Sequence, residues 1–142
     1  MSISTAQARW TGDIKNGKGK MRSESGTLGQ FSASTRFAGK KGTNPEELIG
    51  AAQAGCFAMA LSAKLTEAGH PPRTVDASAE VQLDRIGDEY VISRVDVHAE
   101  AAVDGLGEER FQEIVREAGK HCPIAQALRV PVALQASLAP AK

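Results

Sequence analysis

Cysteine and aromatic residues are scarce in this chain, and net charge is absent. Two cysteines, four Phe, one Trp and one Tyr stand among 142 residues, and seventeen basic side chains balance seventeen acidic ones. Two cysteines cannot build a disulfide scaffold, and without CxxC or HxxxH spacing the three scattered histidines supply no zinc site. Zero net charge, with no basic block interleaved with aromatics, speaks against a nucleic-acid partner. No apolar run approaches bilayer length and no export signal opens "MSISTAQARW", so the expectation is a cytoplasmic protein with no membrane partner. There is no GxSxG, no phosphate-cradling glycine loop and no Rossmann fingerprint, and no cofactor is implied.

The length suits one domain, 1–142, with a real hydrophobic core. Segments "AQARWTGD", "GKGKMRSESG" and "GQFSASTRF" read as a strand meander punctuated by Gly12, Gly17, Gly19, Gly26 and Gly29. Asn44-Pro45-Glu46-Glu47 then has the form of a helix start, with Asn as N-cap, Pro first and Glu47 as capping-box acid. This helix should run to about Ala68, before "GHPP". "RTVDASAEVQLDRI" and "EYVISRVDVHAEAAV" alternate apolar and polar residues about a Gly87-Asp88 turn, a hairpin pattern that turns His98 outward. Phe111, Ile114, Val115 and Ala118 share one face of an amphipathic helix. Cys122 and Pro123 open a short helix to about Leu128, and "VPVALQASL" ends the pattern as a strand. The order defines an α+β fold.

From Leu48 to Leu61 the long helix is apolar or small nearly all the way round, so it should be covered on several sides. In so small a domain a second copy of the chain is the simplest cover, and Gly50, Ala51, Ala52, Ala54 and Gly55 would allow close backbone approach. An intimate homodimer is expected.

Cys56 stands inside this helix. A free cysteine there could be no more than a small buried hydrophobe. At about 100° per residue, Glu46 falls about 80° from Cys56 around the axis and Glu47 about 180°. Glu46, Ile49, Gln53 and Cys56 thus share one broad face, although Glu46 could equally be an acid favoured by the helix dipole. Cys122 opens a helix, a position that favours a thiolate but also suits a buried cap-adjacent residue. Arg36 reads as a strand-end cation just before the loop into the long helix, where solvation alone would account for it.

"TRFAGKKGTNPEELIGAAQAGCFAMALS" with "HCPIAQAL" resembles the OsmC/Ohr family, osmotically inducible protein C and organic hydroperoxide resistance protein. The likeness extends over essentially the whole chain and favours the OsmC branch; one departure is Gln53, where relatives often carry His or Tyr. The resemblance implies an intertwined homodimeric thiol peroxidase with Cys56 as peroxidatic cysteine and Cys122 as resolving cysteine. It also implies Arg36 as the cation near the thiolate and Glu46 as the carboxylate orienting it. The substrate would be an organic hydroperoxide and the reductant a dithiol, such as a lipoyl-bearing protein. A thiol–disulfide redox sensor and a non-catalytic small-molecule or lipid binder are the alternatives.

Overall fold

The computed structural model describes residues 2–140. The expected single domain 1–142 includes Met1, Ala141 and Lys142, which lie outside the described residues. The fold is α+β with a long central helix, and the chain divides into two compact units whose boundary falls between Leu48 and Ile49.

In the first unit, strands β1 (Ala6–Thr11), β2 (Lys18–Ser23) and β3 (Gly26–Phe31) form an antiparallel meander in the order β1-β2-β3. Gly19 and Gly29 lie inside strands and not in turns, a departure from the punctuation expected of them. Gly19 pairs with Trp10 on one side and Phe31 on the other, and the two rings approach to 5.5 Å. A Cβ on Gly19 would stand 2.4 Å from the Phe31 ring, so the ring needs a residue without a side chain there. A second departure follows: "ASTRF" is not a strand end but helix α1 (Ala33–Phe37). Ser32 caps it, accepting from the Thr35 N–H while the Thr35 hydroxyl accepts from the Ser32 N–H, a reciprocal pair that favours a helical turn over continued extension.

Helix α2 (Pro45–Glu67) begins with Asn44 Oδ1 accepting from the Glu47 N–H at 2.8 Å. The Glu47 carboxylate faces the Thr43 hydroxyl at 3.5 Å. At 23 residues and a mean hydropathy of 1.4 over its best window, α2 is long and apolar enough to cross a membrane. That corrects the reading that no run approaches such length; Leu48, Ile49, Leu61, Leu65 and the alanines between them carry the average past Gln53, Ser62 and Lys64. Its large apolar residues Phe57, Leu61 and Leu65 are fully buried in a protein core.

That core belongs to the second unit. Strands β4 (Thr74–Ile86) and β5 (Glu89–Ala102) form the antiparallel hairpin about Gly87, whose φ of 63° suits a residue without Cβ. Strand β6 (Val132–Leu138) adds to β5 in parallel, reached through α3 (Glu108–Lys120) and α4 (Pro123–Ala127). Phe111, Ile114, Val115 and Ala118 of α3 join Val95, Val97 and Ala101 of β5 and the three large residues of α2 in one cluster. Gly119 ends the apolar face of α3; a Cβ there would stand 2.4 Å from Leu134 Cδ1. His98 is exposed, as alternation requires.

Cover along α2 alternates within the single chain. Gly50 faces Val81 and Ala79 of β4 within the same chain. Ala51, Ala52, Gly55, Met59 and Ala63 are exposed in the single chain, Met59 to 76%.

Candidate active site

Two pairs of polar or reactive side chains stand out, one in each unit. In the first unit, α1 carries Arg36 and the start of α2 carries Glu46. The Arg36 Nε donates to both Glu46 carboxylate oxygens, at 3.1 and 3.2 Å, and one terminal nitrogen donates to Oε1 at 2.5 Å. This two-pronged arrangement uses the planar guanidinium fork, which a lysine could not reproduce. Glu46 is 7% exposed, and the Arg36 guanidinium also lies over the Phe37 ring at 5.3 Å. Its carboxylate therefore has one dominant partner and a helix N-terminus that favours negative charge.

In the second unit, Cys56 projects from the middle of α2, and Cys122 is the residue immediately before Pro123 opens α4. Proline's fixed φ and missing N–H suit the first helical position, which sets the direction in which Cys122 enters the helix. Both cysteines are free thiols, their sulfur atoms 3.0 Å apart although 66 positions separate them in sequence. A disulfide is about 2.05 Å long, so closing the bond requires movement of only about 1 Å. Cys122 is fully buried, whereas Cys56 is partly accessible.

Burial pushes the Cys56 thiol above its ordinary value, and the adjacent Cys122 thiol adds to the rise; the Ile124 backbone N–H, in the first turn of α4, opposes it.

Gln53 is the residue of this site that sequence reasoning left without a role. It lies one turn before Cys56, is fully buried, and donates from Nε2 to the Cys122 sulfur at 3.5 Å. Its Oε1 has no hydrogen-bond partner among the described residues. The available signal was a lone amide in the apolar stretch Leu48–Leu61, on the helical face of Cys56. Beside these groups lies a cavity of about 210 Å³ lined by Gln53, Phe57, Cys122, Gln126, Val132 and Leu134. Among the described residues no group of three or more His, Cys, Asp or Glu side chains could hold a metal ion.

An α+β chain presenting two adjacent free thiols, one buried and one accessible, has the makings of a dithiol redox protein. The sequence model of the OsmC-like protein family matches residues 38–137, and the chain belongs to the OsmC family. It is similar to Peroxiredoxin OsmC of Escherichia coli, with 46% identity over 134 residues that span 93% of this chain and 94% of the relative. It also resembles the crystal structure of the organic hydroperoxide resistance protein OhrB of Bacillus subtilis, at 27% identity and a TM-score of 0.64, covering 95% of this chain and 98% of that one. An OsmC-like protein of Vibrio cholerae shares the fold at a TM-score of 0.76 and 14% identity, over 96% of this chain and 100% of the other.

Proposed function

We propose that this chain is a cysteine-based peroxidase that reduces organic hydroperoxides to alcohols through Cys56 and Cys122. The observation that carries the reading is the 3.0 Å approach of the two free sulfurs. Membership of the OsmC family and 46% identity to a protein named Peroxiredoxin OsmC support peroxide reduction as the activity. The similarity to OhrB, a protein named for organic hydroperoxide resistance, supports the substrate class.

In the proposed cycle the Cys56 thiolate attacks the distal oxygen of the hydroperoxide. The O–O bond breaks, the alkoxide leaves as an alcohol after protonation, and Cys56 becomes a sulfenic acid. Arg36, held by Glu46, supplies the positive charge that favours the thiolate and the developing alkoxide. Cys122 then attacks the Cys56 sulfur, water leaves, and a disulfide closes; a dithiol such as a lipoyl group reopens it. Each methylene taken from water into apolar surroundings contributes about 0.8 kcal/mol, so an apolar approach to Cys56 would favour an alkyl hydroperoxide over hydrogen peroxide. The active species is a cytoplasmic homodimer in which the exposed α2 stripe of Ala51, Ala52, Gly55, Met59 and Ala63 meets a second copy. Light scattering that reports a monomer at micromolar concentration rules the dimer out.

The test of the cycle is intact mass measurement after one equivalent of cumene hydroperoxide. A loss of two hydrogens, with a Cys56–Cys122 linked peptide, is the expected result. Oxidation at another residue, or equal catalytic efficiency on cumene hydroperoxide and hydrogen peroxide, counts against the assignment. A second reading, a thiol–disulfide sensor, would use the same pair of adjacent free thiols. A sensor forms mixed disulfides with partner proteins but shows no hydroperoxide turnover with any dithiol.

A further inference from the structure

We propose that Gln53 is a positioning residue for the second half of the cycle, its amide N–H holding the Cys122 sulfur and stabilising the negative charge that sulfur carries when the disulfide forms and when it is reopened. The inference rests on the peroxidase reading and adds to it a residue with a defined step.

The argument begins with an energetic anomaly. Gln53 is fully buried among apolar neighbours and leaves Oε1 without a partner. An unsatisfied buried amide oxygen costs free energy on the scale of a lost hydrogen bond, whereas an apolar side chain of the same shape avoids that cost. Packing alone would favour methionine, which matches glutamine in length. What the amide does gain is a single contact through its other end, from Nε2 to Cys122 Sγ at 3.5 Å.

A neutral thiol is a weak hydrogen-bond acceptor, so this contact is worth little while Cys122 is protonated. It strengthens when the sulfur becomes anionic, because hydrogen bonds to ionised groups are roughly twice as strong as neutral ones. Cys122 is fully buried, and the Gln53 N–H is a donor already in place beside its sulfur. An interaction weak in the resting state and strong when charge develops is the kind that accelerates a step.

The unequal burial of the two sulfurs fixes where that charge appears. In resolution, the Cys122 thiol loses its proton and its sulfur attacks Cys56 Sγ; the S–O bond breaks, and hydroxide leaves as water with that proton. The sulfenic sulfur is reduced and Cys122 is oxidised. In reduction, an incoming dithiol reaches the accessible Cys56 sulfur. Its thiolate bonds to Cys56 Sγ, the disulfide breaks, and Cys122 departs as a thiolate beside Gln53. The second thiol of the reductant then displaces Cys56, leaving a cyclic disulfide on the reductant and two reduced cysteines on the protein. Gln53 therefore assists both closing and opening, and takes no part in the attack of Cys56 on peroxide.

The test compares the natural chain with Gln53→Met in rapid-mixing experiments with cumene hydroperoxide, followed by quenching and mass measurement, and then with dithiothreitol as reductant. Sulfenic acid formation should stay within twofold. Disulfide formation and dithiothreitol reduction should each slow about tenfold, the scale of a lost charge-assisted hydrogen bond. Urea unfolding of the reduced protein should show equal or greater stability, an opposite movement that a purely structural role would not produce. Should Gln53→Met fail to fold, Gln53→His, which returns a ring N–H, is expected to keep at least a third of the natural disulfide-forming rate. Unchanged disulfide formation and reduction in Gln53→Met, or a tenfold loss in the peroxide step itself, overturns the role while leaving the cycle standing. Absence of a Cys56–Cys122 disulfide in the natural chain overturns the cycle and the role together.

Discussion

Replacing Glu46 by glutamine removes one charge from the Arg36–Glu46 pair while keeping its size. The amide can still accept from one guanidinium N–H, but its NH₂ group turns a donor toward a donor. Two unit charges 4 Å apart attract by about 4 kcal/mol at the effective dielectric near a protein surface. The Arg36 side chain is 36% exposed, so water screens much of this, and exposed pairs contribute only about 0.2–1 kcal/mol. Three bonds converge on a carboxylate that is nearly buried, and bonds to charged groups are worth about 1.5–3 kcal/mol. Between these bounds, Glu46→Gln should destabilise the reduced protein by about 1–2 kcal/mol. At a urea m-value of about 1–3 kcal/mol/M this lowers the midpoint by roughly 0.3–2 M. The proposed function adds a larger kinetic effect: a guanidinium no longer held in place should slow sulfenic acid formation by about 10²-fold, the scale of a 1 Å misplacement. Urea unfolding and rapid-mixing kinetics on the same sample separate the two. A lowered midpoint with a peroxide rate within twofold of the natural chain would refute the catalytic reasoning and leave the pair a purely structural contact.

Cys122→Ser should gain one oxygen in place of losing two hydrogens after one equivalent of hydroperoxide, and should pass on to sulfinic acid in excess, as read by intact mass. The upward displacement of the Cys56 thiol has a pH signature: folding binds its proton more tightly, so its contribution to stability is complete below the unfolded value of about 8.5 and is lost as pH rises through the higher folded value. Urea midpoints of the reduced chain between pH 7.5 and 10 should fall faster than those of Cys56→Ser; identical slopes would contradict the assignment. Phe57→Ala empties a fully buried position and should cost about 3–5 kcal/mol, with a loss below 1 kcal/mol indicating that the neighbouring cavity collapses to fill it.

Much of this arrangement was legible from periodicity. The β4–β5 hairpin and the buried face of α3 follow from repeats of two and of 3.6 residues, which are local properties. Helix α1 escapes a reading by glycine punctuation, because the reciprocal Ser32–Thr35 bonds that bend "ASTRF" into a helix depend on hydroxyls and carry no hydropathic signal. Helical angles set apart Glu46 from Glu47, but the three bonds of Glu46 to Arg36 depend on where α1 forms and are not encoded in spacing. The 3.0 Å meeting of Cys56 and Cys122 is a tertiary contact across 66 positions, accessible beforehand only through family resemblance. Gln53 shows the limit most sharply, since a lone amide in an apolar run signals its own oddity and not the sulfur it touches.

That 66-position span has a mechanical consequence. A covalent tie between the centre of α2 and the start of α4 would enclose nearly half the polypeptide, shrinking the freedom of the denatured chain by about 4 kcal/mol at room temperature on the loop-entropy relation. Each turnover would thus alternate a tethered and an untethered molecule of measurably different heat resistance. A melting curve would then double as a gauge of how many molecules await their reductant.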